Sequence, residues 1–142
     1  MSWDLRFLAL ARNISEWSKD PSTKVGAVII KPDRTVVSLG YNGFPRGVKD
    51  TGPRVENRES KLRCTIHAEE NAILSATQSL KGCFLYSTHF PCCACSARII
   101  QVGITQVHSS VQPAYEERWK EDVEIGKSML QEAKVRYLRY YV

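Results

Sequence analysis

The stretch "CFLYSTHFPCCACSARIIQVGITQVHSS", residues 83–110, spells a strand, a helix and a strand. "CFLYSTH" (83–89) and "TQVHSS" (105–110) are short runs rich in aromatic and β-branched residues, the composition of strands. "CCACSARIIQVG" (92–103) lies between them, with Pro91 suited to a first helical turn and Gly103 to a helix stop. A strand that returns through a helix pairs in parallel with a right-handed crossover. The same unit recurs downstream, where "AYEERWKEDVEIGKSMLQEA" (114–133) reads as a helix and "VRYLRYYV" (135–142) as a last strand.

Upstream, residues 3–17 place Leu5, Phe7, Leu8, Leu10, Ala11, Ile14 and Trp17 at three-and-four spacing, an amphipathic helix that ends at Asp20-Pro21. "VGAVIIK" (25–31) and "TVVSLGYN" (35–42) flank the turn "KPDR" and read as an antiparallel hairpin. Residues 43–63 carry three glycines, two prolines and nine charged side chains, and read as a long loop of the kind that tends to carry function. "HAEENAILSATQ" (67–78) reads as a helix. The order predicts one α/β domain over residues 1–142, a three-layer α/β/α sandwich built on a mixed five-stranded sheet.

Bulk properties narrow the function. No apolar run approaches the roughly 20 residues that cross a bilayer. The start, "MSWDLRFLALARN", lacks the basic region and long apolar core of a signal peptide, so a cytoplasmic location is expected. Five cysteines, three of them clustered, then suggest metal binding or burial rather than disulfides. A net charge of +5 and a pI near 9.0 favour anionic ligands, either phosphate-bearing or nucleic acid. Basic residues are spread along the chain with no stacking-rich stripe, which disfavours nucleic acid.

The chemistry gathers at two helix starts. Cys92 and Cys95, three apart, share a helix face, whereas Cys93 points elsewhere. A helix N-terminus favours thiolates. Two thiolates with one imidazole from His67 make three protein ligands, the pattern of a catalytic zinc with an open position. Glu69, two residues from His67, is placed to move protons without binding the metal. Taken singly, His67 also fits an ordinary histidine, Glu69 a favourable helix-start charge and the cysteines core thiols. Together, His67-Ala68-Glu69 and, after twenty-one residues, Pro91-Cys92-Cys93-Ala94-Cys95 match the signature of zinc deaminases acting on nucleobases. His89 and His108 have no such company and read as ordinary, and Cys64 and Cys83 read as buried thiols.

With these residues in place the chain resembles the deoxycytidylate (dCMP) deaminase family of the cytidine deaminase-like superfamily. "HAEENAI" (67–73) with "FPCCAC" (90–95) marks the superfamily, while "DPSTKVGAVI" (20–29) and "GYNGFPRG" (40–47) point to a nucleoside monophosphate. The resemblance implies a cytidine deaminase-like fold, one zinc ion per chain and conversion of dCMP to dUMP and ammonia, feeding thymidylate synthesis. Glu69 would protonate N3 and help expel ammonia. The backbone at Ala68 and the carbonyls from Thr88 to Phe90 would hold the pyrimidine edge. Ser22, Thr23 and Lys24 would meet the 5′-phosphate, Asn42 the sugar, and Tyr115 would bound the nucleotide. Family members are often activated by dCTP and inhibited by dTTP, which assigns Gly43, Arg46 and Gly47 to an effector site. They also form homo-oligomers, dimers or hexamers. Other readings are a bifunctional dCMP/dCTP deaminase, a tRNA or nucleobase deaminase of the same superfamily, and a non-catalytic relative in which zinc only holds the fold. Glu69 argues against the last.

Overall fold

The apolar run at 25–31 becomes an interior strand. In the computed structural model, which describes all residues 1–142, β1 (Gly26–Ile30) is buried at every position. It sits between β2 (Val36–Tyr41) and β3 (Phe84–Ser87), antiparallel to both. β3 then pairs in parallel with β4 (Gln106–Ser110), and β4 with β5 (Arg136–Tyr140), giving the sheet order β2-β1-β3-β4-β5. This is the mixed five-stranded sheet expected from the sequence.

Strand alternation divides the core between two faces. Val28, Ile30 and Tyr86 meet Phe7, Leu8 and Ala11 of α1 (Trp3–Ser15) on one side. On the other, Ala27, Ile29, Leu85 and Val107 join a larger cluster. Its helical members come from α4 (Ala68–Ser75), α5 (Cys93–Gln101) and α7 (Lys120–Glu132). No helix is long and apolar enough to cross a membrane.

Two expectations are corrected. The segment read as a loop contains α2 (Pro53–Glu56) and α3 (Arg58–Cys64). Pro53 begins the first, and Asn57 caps the second by accepting the Ser60 N–H at 3.0 Å. Their helices are short and strongly charged, so no apolar period announces them. The helix expected over 114–133 is split into α6 (Pro113–Arg118) and α7 at Trp119, whose φ of −109° and ψ of 27° leave the helical region. The Trp119 side chain packs against the larger core, which explains the break.

Two glycines set how closely helices approach the sheet. A Cβ on Gly26 would run into the Ala11 carbonyl and lie 2.6 Å from the Ser15 nitrogen, both on α1. One on Gly40 would run into the Ala68 carbonyl of α4. Backbone cannot yield there, so Gly26→Ala and Gly40→Ala are each expected to destabilise the protein by about 2–3 kcal/mol. The check is the shift of the urea midpoint at constant slope.

Candidate active site

α4 and α5 start beside each other. His67 caps α4, and its N–H donates to the Glu70 carboxylate at 3.3 Å. The same carboxylate pairs with Arg98 of α5 at 2.9 Å, tying the two helices together. Cys92 caps α5, its sulfur accepting the Cys95 N–H at 3.4 Å. His67 Nδ1 lies 3.4 Å from both Cys92 Sγ and Cys95 Sγ. The donor atoms of these three residues all fall within 4.8 Å of one another. A tetrahedral zinc with ordinary Zn–N and Zn–S bonds would hold nitrogen and sulfur about 3.5 Å apart, so the spacing and the soft donor set both fit that ion. Cys93 is outside the cluster, and its backbone N–H donates to Asp122 of α7 at 2.7 Å.

The three groups set one another's charge through their hydrogen bonds. Hydrogen bonds from the Cys95 thiol and from His67 hold the Cys92 thiol down at about 5, close to a thiolate at neutral pH. The bond to Cys92 in turn raises His67 to about 9, and that with Cys92 keeps Cys95 protonated. Between these values, protein stripped of metal carries one extra proton on His67 and one on Cys95. Metal binding must displace both. Near pH 7, zinc uptake is therefore expected to release about two protons and to tighten about 100-fold per pH unit as competing protons are removed. Calorimetry in buffers of different ionisation enthalpy reads that number directly.

Glu69 is only 4% exposed. Burial, reinforced by the Cys92 thiolate, pushes its carboxyl up to about 7. A group balanced there both takes and gives a proton at neutral pH. It lines a cavity of about 340 Å³ that also reaches His67, Ala68 and Cys92.

The other expected contacts divide. Ser22, Thr23, Asn42 and Tyr115 line this cavity, whereas Lys24 is exposed and lies outside it. Asn42 holds the local backbone: its Oδ1 accepts the Val25 N–H at 2.9 Å and its Nδ2 donates to the Thr23 carbonyl at 2.8 Å. Gly43, Arg46 and Gly47 line a second cavity of about 280 Å³, whose wall shares Asp20, Asn42, Lys61 and Thr65 with the first.

The structure adds cavity residues that sequence reasoning passed over: Arg58, Lys61, Arg118 and His89. Arg58 and Arg118 make no ion pair, leaving two guanidinium groups at the cavity without a carboxylate partner. Lys61 is buried, bonded to Asp20 at 3.2 Å and to the Ser22 hydroxyl at 3.1 Å. A dense run of basic residues at 54–63 was the one available signal for Arg58 and Lys61, and it did not distinguish a cavity wall from a solvated loop.

Comparison with known proteins places this geometry. Residues 1–111 match the family model described as the cytidine and deoxycytidylate deaminase zinc-binding region. The chain belongs to this deaminase family. An uncharacterised deaminase from the luxG 3′ region of Aliivibrio fischeri is 47% identical over 94% of this chain and 90% of its own length. The human deoxycytidylate deaminase is 38% identical over 75% of this chain, which spans 64% of that relative. Among solved structures, the dCMP deaminase of cyanophage S-TIM5 superposes with a TM-score of 0.76 at 26% identity, covering 98% of this chain and 99% of that one. Its complex with dCMP and dUMP superposes with a TM-score of 0.72 at 25% identity over 98% of each chain. The chain is thus a family deaminase with the five-stranded cytidine deaminase-like fold, and its His67–Cys92–Cys95 cluster is compatible with the family's zinc.

Proposed function

We propose that the protein hydrolyses dCMP to dUMP and ammonia. The observation that carries this is Glu69, buried close to the His67–Cys92–Cys95 cluster and lining a cavity that also holds unpaired arginines. Supporting it, the cyanophage enzyme of the same fold was solved with dCMP and dUMP. One water adds across the C4=N3 bond, hydroxyl to C4 and proton to N3, the C4–N4 bond then breaks, and the amino group leaves as ammonia. His67, Cys92 and Cys95 would hold one zinc per chain, which when bound supplies the acidity that activates water. Glu69 accepts the proton lost by the water, delivers it to N3 and then assists the departing nitrogen. The Ala68 backbone and the Thr88–Phe90 carbonyls hold the pyrimidine edge, and Tyr115 bounds the ring. Ser22 and Thr23, joined by Arg58, Lys61 and Arg118, supply hydroxyls and positive charge for the 5′-phosphate, with Asn42 toward the sugar.

The finer parts of the reading rest on family resemblance. The second cavity, with Gly43, Arg46 and Gly47, suits a nucleotide effector, activation by dCTP and inhibition by dTTP. A homo-oligomer, dimer or hexamer, in the cytoplasm and supplying dUMP for thymidylate, completes it. The test is ammonia release from dCMP, dCTP, cytidine and tRNA, each with and without added dCTP and dTTP. Turnover confined to dCMP and altered by the triphosphates is the expected result. Turnover of tRNA without dCMP would overturn the substrate, and insensitivity to both triphosphates would overturn the regulation.

A further inference from the structure

His89 lines the catalytic cavity, and its surroundings decide where its proton sits. The Thr88 hydroxyl oxygen accepts the Gly26 N–H at 3.2 Å and lies 2.8 Å from His89 Nδ1. That nitrogen is the hydroxyl's sole bonded acceptor, so the arrangement that satisfies the Thr88 proton has it donated to Nδ1. In a neutral imidazole whose Nδ1 accepts, Nε2 carries the hydrogen. Burial keeps the ring neutral by pushing it down to about 4. The ring is packed on one side, and the backbone that carries it is held. Tyr115 stands edge-on to it, centroids 4.8 Å apart at 77°, and the Thr88 carbonyl is held by Gln112 Nε2 at 3.0 Å.

His89 Nε2 has no protein partner, so a neutral, fixed donor is left for a ligand. Its position indicates which part of the ligand. His89 precedes Cys92 by three residues, and Tyr115, in contact with His89, lines the same cavity as His67, Glu69 and Cys92, so this pair belongs to the reacting part of the cavity. Arg58 and Arg118, without carboxylate partners, are the charges the cavity offers a phosphate.

We infer that His89 is a specificity-determining residue that donates its Nε2–H to an acceptor on the base or sugar of the bound pyrimidine nucleotide. The inference rests on the proposed nucleotide substrate. Removing one such donor costs about tenfold in binding, because the ligand acceptor loses its partner.

His89→Leu is expected to raise KM for dCMP about tenfold with kcat little changed, and to weaken competitive inhibition by phosphate-free deoxycytidine by the same factor. His89→Gln, which restores an N–H at nearly the same reach, is expected to recover most of the loss. In the wild-type protein, ¹⁵N shifts of the His89 ring are expected to show Nε2 protonated and Nδ1 bare. Thr88→Val is expected to weaken that tautomer preference. An Nδ1-protonated ring, an unchanged KM in His89→Leu, or equal losses of kcat and melting temperature in both His89 variants would overturn the inference. A penalty seen for dCMP but not for deoxycytidine would move the contact to the phosphate and also overturn it. Absence of nucleotide turnover by the wild-type protein is a separate outcome, which would refute the deaminase reading and the ligand named here, while the ring tautomer would still be read by its ¹⁵N shifts.

Discussion

Replacing Glu69 with Gln is expected to cut dCMP turnover by about 10⁴-fold, the upper range for a general acid–base group, because one carboxyl serves several proton transfers. Glutamine keeps the shape of the side chain but neither accepts nor releases a proton at neutral pH. The site is buried, so shape must be kept for the test to isolate chemistry. Glu69 is outside the His67–Cys92–Cys95 donor set, and the variant is expected to retain zinc. Ammonia release, zinc content and thermal unfolding should be measured on one preparation. Residual activity within tenfold of wild type, with zinc retained, would remove Glu69 from its role. It would also revive the view of a zinc that only holds the fold.

The second large effect separates the three neighbouring cysteines. Cys92→Ser and Cys95→Ser are each expected to weaken zinc binding by roughly 10²- to 10³-fold, a share of the 10–16 kcal/mol that structural zinc sites provide across their ligands. Cys93→Ser is expected to leave zinc content unchanged, since Cys93 is outside the donor cluster and its backbone N–H is engaged by Asp122. Competition with a chelator, followed by metal analysis, ranks the three variants. Zinc loss in Cys93→Ser would show that the fold presents a different pair to the metal.

Much of this was legible along the chain. The apolar run at 25–31, rich in β-branched residues, announced a strand of the hairpin, and the strand–helix–strand stretch at 83–110 announced the parallel half of the sheet. The spacing of His67, Glu69, Cys92 and Cys95 announced a metal and a proton carrier, because helix geometry converts short spacings into shared faces. The missed features depend on distant partners. Lys61 is buried with Asp20, forty-one positions earlier, and Ser22 meeting its ammonium. The Trp119 break comes from a side chain drawn into the core, against the local preference for one helix. His89 looked unaccompanied because Tyr115 and Gln112, its neighbours in space, come from beyond β4.

The carboxylate of Glu70 has a consequence for metal choice. It accepts the N–H of His67 while pairing with Arg98 on the adjoining helix, so the gap between imidazole and thiolates is set by a protein strut. A pocket braced in this way would work as a gauge, taking an ion by size and bond length rather than being moulded around it. Loading would then require little reordering of the chain, and an ion that prefers more ligands or longer bonds would be at a disadvantage before any chemistry begins.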